Sequence, residues 1–217
     1  MKVTSLACVQ GAWLPSIHPF RVLDIGAGTG LLTLMAAQKY KAQFDAVEIE
    51  AGAYSQLIEN VARSLWSERI CCHHSDVRNF AKENSRTYDL IISNPPFYQN
   101  QLKSDNPKIN QARHELGLTI TELIKIIIDL LTPHGIFSIL LPIEETQSLL
   151  SSIAPMPLFA ISQLIISDNP QKSPKAAVTL LSKINGNMVQ KRLNIKNTEK
   201  IFSQEYITLL RPYYLKI

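Results

Sequence analysis

Residues 21–40 constrain the fold more than any other stretch of the chain. Arg21-Val22-Leu23-Asp24-Ile25 has the length and apolar character of a buried strand. Gly26-Ala27-Gly28-Thr29-Gly30 follows without a break, and Leu31 to about Tyr40 reads as an apolar helix. Strand, glycine loop and helix in that order form the first unit of a doubly wound α/β sheet. The spacing of the glycines then limits the ligand. A dinucleotide fingerprint needs a third glycine at position 31, where this chain has Leu31. A dinucleotide oxidoreductase is therefore a minor alternative, which thermal shifts with the two kinds of cofactor would separate.

The alternation continues along the chain. Phe44–Val47 reads as a second strand ending at Glu48, and a helix follows, started by Glu50 and running to about Leu65. Ile70–His74 reads as a third strand, Val77–Lys82 as a short helix and Tyr88–Ser93 as a fourth strand. Beyond them come a helix over Glu122–Leu131, a turn at Pro133-His134-Gly135, a strand over Ile136–Leu141 and a helix over Glu144–Ser152. Strands over Leu158–Ile166 and Ala176–Lys183 are expected to pair antiparallel through the loop Pro170–Lys175. A further short strand at Met188–Ile195 and a terminal helix at Gln204–Leu210 complete the pattern. The expected architecture is a Rossmann-like, seven-stranded doubly wound sheet with its last strand antiparallel. It forms one domain over residues 1–217, with 1–20 as an N-terminal segment and 171–217 as a basic C-terminal part.

Composition bounds the function classes. A chain of 217 residues with 46% hydrophobic and 18% charged residues can bury a sizeable core and is not disordered. Its apolar runs are too short and interrupted for a membrane span, and Met1-Lys2 opens no signal-peptide pattern. Three cysteines, two of them adjacent, build no disulfide framework, which points to a reducing cytoplasm. Cys71, Cys72, His73 and His74 look like a metal cluster, but a strand sends alternate side chains to opposite faces. The four cannot converge on one ion, so no metal is expected. The net charge of +4 is unevenly spread: residues 171–217 hold nine of the 22 Lys and Arg but two of the 18 Asp and Glu. A basic segment beside a slightly acidic body suggests a polyanion partner, the plain alternative being a solvated surface.

In open α/β sheets ligands gather beyond the carboxyl ends of the strands, and Gly28, Glu48, Asp76 and Asn94 all fall at such ends. The last of these opens Asn94-Pro95-Pro96-Phe97. A planar exocyclic amine is a poor nucleophile because its lone pair is delocalised. Two acceptors that bind its two hydrogens draw the nitrogen toward tetrahedral geometry, and the Asn94 side-chain oxygen and Pro95 carbonyl suit that task. Pro96 holds Pro95 extended, so the acceptors are fixed beforehand. Phe97 offers a face on which a base can stack. Taken alone, Asn-Pro-Pro is also an ordinary proline-punctuated turn after a buried strand.

The glycines at 26, 28 and 30 after Asp24 resemble the first motif of S-adenosylmethionine-dependent methyltransferases of class I. That cofactor has no pyrophosphate, so the loop need only let backbone approach a sulfonium amino acid. On this resemblance Asp24, Gly26, Ala27, Gly28, Gly30, Glu48, Asp76, Val77 and Asn94 are the expected cofactor residues. Glu48 would accept from both ribose hydroxyls and Asp76 from the adenine amine. Glu50 competes with Glu48 but better suits a helix N-terminus, and the plain alternative for Asp76 is an N-cap of the helix Val77–Lys82.

Over nearly its whole length the chain is similar to the bacterial tRNA(Val) adenine-37 N6-methyltransferases. The likeness runs through Met1-Lys2-Val3, Gly11-Ala12-Trp13, Asp24–Gly30, Ala46-Val47-Glu48-Ile49-Glu50, Asn94–Phe97, Ala112-Arg113-His114 and the terminal Glu205-Tyr206-Ile207 and Tyr214-Leu215-Lys216. It departs from the family where Ser5-Leu6 replaces a usual Thr-Asp pair, and it lacks the family's aromatic-rich stretch ahead of Met-Lys-Val. The resemblance implies methyl transfer from S-adenosylmethionine to an adenine N6 in tRNA, with Asn94, Pro95, Pro96 and Phe97 catalytic. Arg113, His114, Lys172 and Lys175 are the expected RNA contacts. The rivals are an rRNA guanine-N2 or protein glutamine-N5 methylase, or a relative that binds cofactor and RNA without catalysis. Glutamine modifiers carry a tyrosine where this chain has Phe97.

Overall fold

The computed structural model describes residues 4–95 and 118–215. Its frame is one eight-stranded sheet in the order β3-β2-β1-β4-β5-β7-β6-β8. The strands are β1 (Arg21–Ile25), β2 (Gln43–Glu48), β3 (Ile70–His74), β4 (Tyr88–Ser93), β5 (Leu131–Pro142), β6 (Phe159–Ser167), β7 (Ala176–Ser182) and β8 (Val189–Asn194). The described helices are α1 (Ser5–Ala12), α2 (Leu31–Lys39), α3 (Ala51–Ala62), α4 (Val77–Glu83), α5 (Ile120–Leu130), α6 (Ile143–Ile153) and α7 (Gln204–Leu210). The central strands are apolar without alternation because helices cover both faces; β1 buries four of its five residues and β7 all seven.

β3, β2, β1, β4 and β5 run parallel, and β7 is antiparallel to both β5 and β6, as expected of the closing pair. The strand at Val189–Asn194 joins the sheet as its eighth member, parallel to β6 on the outer edge. One expected turn takes another form. Pro133-His134-Gly135 lies within the span of β5, where Tyr88 pairs with Leu131 but Leu90 already pairs with Ile136. The turn residues are a bulge looped out between two paired stretches of one strand.

The strand order reverses between β1 and β4, and there the carboxyl ends lie level. Ile25 is in register with both Val47 and Ser93, and Glu48 with His74. The largest core cluster fills one face, with Tyr88, Ile91, Leu123, Ile127 and Phe137 fully buried or nearly so. On the other face α1 packs on α2, β5 and α7. Its N-cap Thr4 accepts from the Ala7 N–H at 3.2 Å. Gly11 permits the approach to α2, since a Cβ there would sit 2.6 Å from the Met35 sulfur.

Candidate active site

The glycine loop bends back over the end of β2. Gly26, Gly28 and Gly30 have φ of 72°, 58° and 91°, a region that a side chain disfavours. The Gly26 and Ala27 N–H groups donate to the Val47 carbonyl at 2.9 and 3.1 Å. A Cβ on Gly26 would meet nothing within 4 Å, so that side of the loop is open, whereas one on Gly30 would strike Leu57 at 2.7 Å. The loop therefore pairs an open face with a closely packed one, as a backbone cradle for a ligand requires.

Glu48, at the end of β2, is 6% exposed. Its Oε2 accepts from the Gly28 N–H at 2.7 Å and its Oε1 from the Glu50 N–H at 2.8 Å, so one carboxylate fastens the glycine loop to the β2–α3 turn. Each oxygen retains a second lone pair with which to accept from a hydroxyl. Glu50 caps α3 by accepting from Gly52 and Ala53, and those two bonds hold its carboxyl below the usual range. Asp76 also caps a helix: its Oδ1 accepts from the Arg78 N–H at 2.7 Å, and both its oxygens pair with the Arg78 guanidinium. The guanidinium keeps its carboxyl ionised, and the cap sets Val77, mostly buried, at the first position of α4.

Asp24 sits beneath the loop, 1% exposed. Oδ2 accepts from the Thr33 hydroxyl at 2.6 Å, and Oδ1 is buried with no partner among the described residues. Burial pushes its pKa up to about 7; the Thr33 hydroxyl opposes the rise and the nearby Glu48 charge adds to it. Oδ1, beneath an open glycine loop, is thus an acceptor with no donor among the described residues.

β4 ends at Ser93 and delivers Asn94 and Pro95, both half-buried, to the same edge. The Ser93 hydroxyl donates to the Ile25 carbonyl at 2.9 Å, which locks the exit of β4 to β1. Pro96, Phe97, Arg113 and His114 lie outside the described residues. The structure thus gathers Gly26–Gly30, Asp24, Glu48, Asn94 and Pro95 around the strand-order reversal, with Asp76 one strand further out.

Lys172 and Lys175 stand on the loop after β6, and the carboxyl end of β6 faces the same edge as that of β4. Lys175 is ion-paired with Asp168, and Lys172 is exposed. The loop after β8 lies against this one through Ile195 N–H to Ser167 and Lys196 N–H to Asp168 bonds of 2.9 and 2.8 Å, and it adds exposed Lys196 and Lys200.

On β3, alternation splits the Cys71–His74 run between two faces. Cys71 and His73 nevertheless share one face with Asp45 of β2, and the three potential ligand atoms lie within 4.8 Å of one another. The Asp45 oxygens are already engaged. Oδ1 lies 2.7 Å from His73 Nε2, while Oδ2 accepts from the Tyr88 hydroxyl at 2.9 Å with Arg86 3.7 Å away. Burial raises the Asp45 pKa, but these partners outweigh it and the carboxyl ends below its ordinary value. Neither this network nor Gln10, whose amide reaches the Ser93 carbonyl at 3.0 Å, figures among the residues expected from the sequence. The available signal for Gln10 was one long polar residue inside the small and apolar run Ala7-Cys8-Val9-Gln10-Gly11.

A family model for the methyltransferase small domain matches residues 12–117. A Flavobacterium psychrophilum protein named tRNA1(Val) (adenine(37)-N6)-methyltransferase is 36% identical over all of this chain and 94% of its own length. A Yersinia pestis protein of the same name is 35% identical over 99% of this chain and 88% of its own. Among solved structures, one described as a predicted O-methyltransferase from Agrobacterium tumefaciens superposes with a TM-score of 0.74. It covers 94% of this chain and 95% of its own at 15% identity, a likeness of fold alone.

Proposed function

Because the chain belongs to the tRNA1(Val) (adenine(37)-N6)-methyltransferase family, we propose that it methylates the exocyclic N6 amine of adenine 37 in tRNA1(Val). The observation that carries this reading is Asn94-Pro95, held half-buried at the end of β4 beside the glycine loop. S-adenosylmethionine, when bound, supplies an electrophilic methyl group on a sulfonium. The residues present fit it. Asp24 offers a cationic amino group a buried carboxyl oxygen that has no partner among the described residues, Glu48 has spare lone pairs for hydroxyls, and the loop is open at Gly26. Asp76 is committed to its cap and to Arg78, so its part in holding adenine reduces to its remaining lone pairs.

The chain's own part in the reaction is positioning. The base leaves its stack to reach a pocket at this depth. The Asn94 side-chain oxygen and the Pro95 carbonyl then accept the two N6 hydrogens and direct the nitrogen lone pair. As the N–C bond forms, positive charge grows on that nitrogen and both acceptors hold it more strongly. The proton departs to water after transfer, so no general base is required. Phe97, the next aromatic in the chain, supplies a stacking face. Lys172, Lys196 and Lys200 form a basic rim on the same edge of the sheet and suit RNA phosphates. The setting we assign is the cytoplasm, where tRNA is found; no described helix is long and apolar enough to cross a membrane.

The test is mass spectrometry of nucleosides from tRNA lacking this modification, incubated with the protein and S-adenosylmethionine. N6-methyladenosine confined to tRNA1(Val) is expected. N2-methylguanosine in its place would move the chain to a guanine-modifying role, and no methylated nucleoside would sink the reading.

Glu48→Ala should weaken cofactor binding by about tenfold or more, since each lost bond to a charged acceptor is worth roughly 1.5–3 kcal/mol. It should also loosen the glycine loop, because the Gly28 and Glu50 N–H groups lose their acceptor. Calorimetry returning the parent affinity would remove Glu48 from the cofactor site.

A further inference from the structure

We propose that Gln10 is a positioning residue for methyl transfer: its side-chain amide ties the carboxyl end of β4 to the interior of β5 at Ser138 and thereby sets where Asn94 presents its oxygen. The inference rests on the role given to Asn94 above. Gln10 lies on α1 and is fully buried. Its Nε2 is 3.0 Å from the Ser93 carbonyl oxygen, 3.3 Å from the Ser138 carbonyl oxygen and 3.5 Å from the Ser138 hydroxyl. Ser93 immediately precedes Asn94, and Ser138 is in register with Ile92.

The orientation of this amide is dictated by its neighbours. Two carbonyl oxygens can be met only by a donor, so the nitrogen faces them and the amide oxygen faces away. That oxygen is buried with no partner among the described residues. An aliphatic side chain of similar volume would remove that unmet oxygen but would also take a donor from the Ser93 and Ser138 carbonyls, two opposing effects on stability. What the amide adds beyond this balance is a hold on the Ser93–Asn94 and Ser138–Ile139 peptide units. With the Ser93 hydroxyl bonded to Ile25, the exit of β4 is fastened to β1, β5 and α1 together. An acceptor that must meet an amine in near-attack geometry gains from such fastening, because a displacement of about 1 Å can cost on the order of a hundredfold in rate.

Gln10→Leu and Gln10→Glu test this. In Gln10→Leu the single-turnover methyl-transfer rate should fall about tenfold or more. Its melting temperature should shift little, since the two effects on stability oppose each other, and its S-adenosylmethionine affinity should stay within about twofold of the parent. Amide hydrogen exchange at Asn94 and Ile139 should quicken in the same variant with the cofactor absent. Gln10→Glu keeps a donor only while its carboxyl is protonated, so its rate relative to the parent should decline as pH rises from 6 to 9. A parental rate and unchanged exchange in Gln10→Leu would overturn the proposal. If that variant fails to fold, a Gln10→Glu rate ratio that stays flat with pH overturns it instead. Should the parent protein methylate no tRNA, the functional reading fails, and the exchange measurement still decides whether Gln10 holds the end of β4.

Discussion

Asn94→Ala should lose about a hundredfold or more in single-turnover methyl transfer while its affinity for S-adenosylmethionine stays within a few-fold of the parent. The scale is that of one deleted acceptor or donor aimed at charge that develops in the transition state. Asn94 follows the last residue of β4, and the bonds that fix the exit come from Ser93 and Gln10 rather than from its own side chain. Removing the side chain therefore leaves the backbone fastening in place. The loss should fall on the rate constant at saturating tRNA and not on the concentration needed for saturation. Stopped single-turnover assays give both quantities. If Asn94→Ala turns over at the parental rate, Asn-Pro-Pro is a turn and the amine-methyltransferase mechanism is wrong. A proportional loss of cofactor affinity would instead make Asn94 a cofactor ligand.

Asp24→Asn should stabilise the protein above neutrality and weaken cofactor binding in the same experiment. Burial lifts the Asp24 pKa from 3.8 to about 7, so the folded state holds this proton more tightly than the unfolded chain does. The sign follows directly. Stability from this group is fully present below about pH 4, is lost as pH rises through about 7, and stays lost above. A difference between 3.8 and about 7 corresponds to about 4 kcal/mol at the alkaline end. Asparagine has the same shape, can still take the Thr33 hydroxyl and has no charge to bury. The two proteins should therefore match near pH 4 and diverge toward pH 8, with the variant melting higher. Denaturant titrations across that range check it, and parallel stability curves would refute it. Cofactor affinity should move the other way. A cationic amino group favours the ionised acid, so binding to the parent should tighten from pH 6 to 8, and Asp24→Asn should lose both the affinity and its pH dependence. Both results together would make the acid under the loop a case of stability given up for a binding site.

Local order is what the residues alone determined. β3 at Ile70–His74, β4 at Tyr88–Ser93 and α7 at Gln204–Leu210 have the bounds that their apolar runs and flanking punctuation predict. The capping role of Glu50 was legible because an acid ahead of a helical stretch meets free N–H groups whatever surrounds it. The same local physics makes Asp76 a cap, the alternative that the sequence also offered for it. α1 was not legible. It is apolar nearly all round and holds Gly11 inside, so neither a helical stripe nor a strong propensity marks it; burial against α2, β5 and α7 makes it a helix. Pro133-His134-Gly135 carries the signature of a turn, and only pairing with Tyr88 and Leu90 made it a bulge. The place of β8 parallel to β6, the Asp45–His73–Tyr88–Arg86 network and the reach of Gln10 to Ser138, 128 residues away, all depend on distant segments of chain meeting across the sheet. Sequence patterns report the period and the ends of an element, because those arise from neighbours a few residues apart. They do not report which groups face one another across a core, because that follows from strand order and register, and those are properties of the assembled sheet.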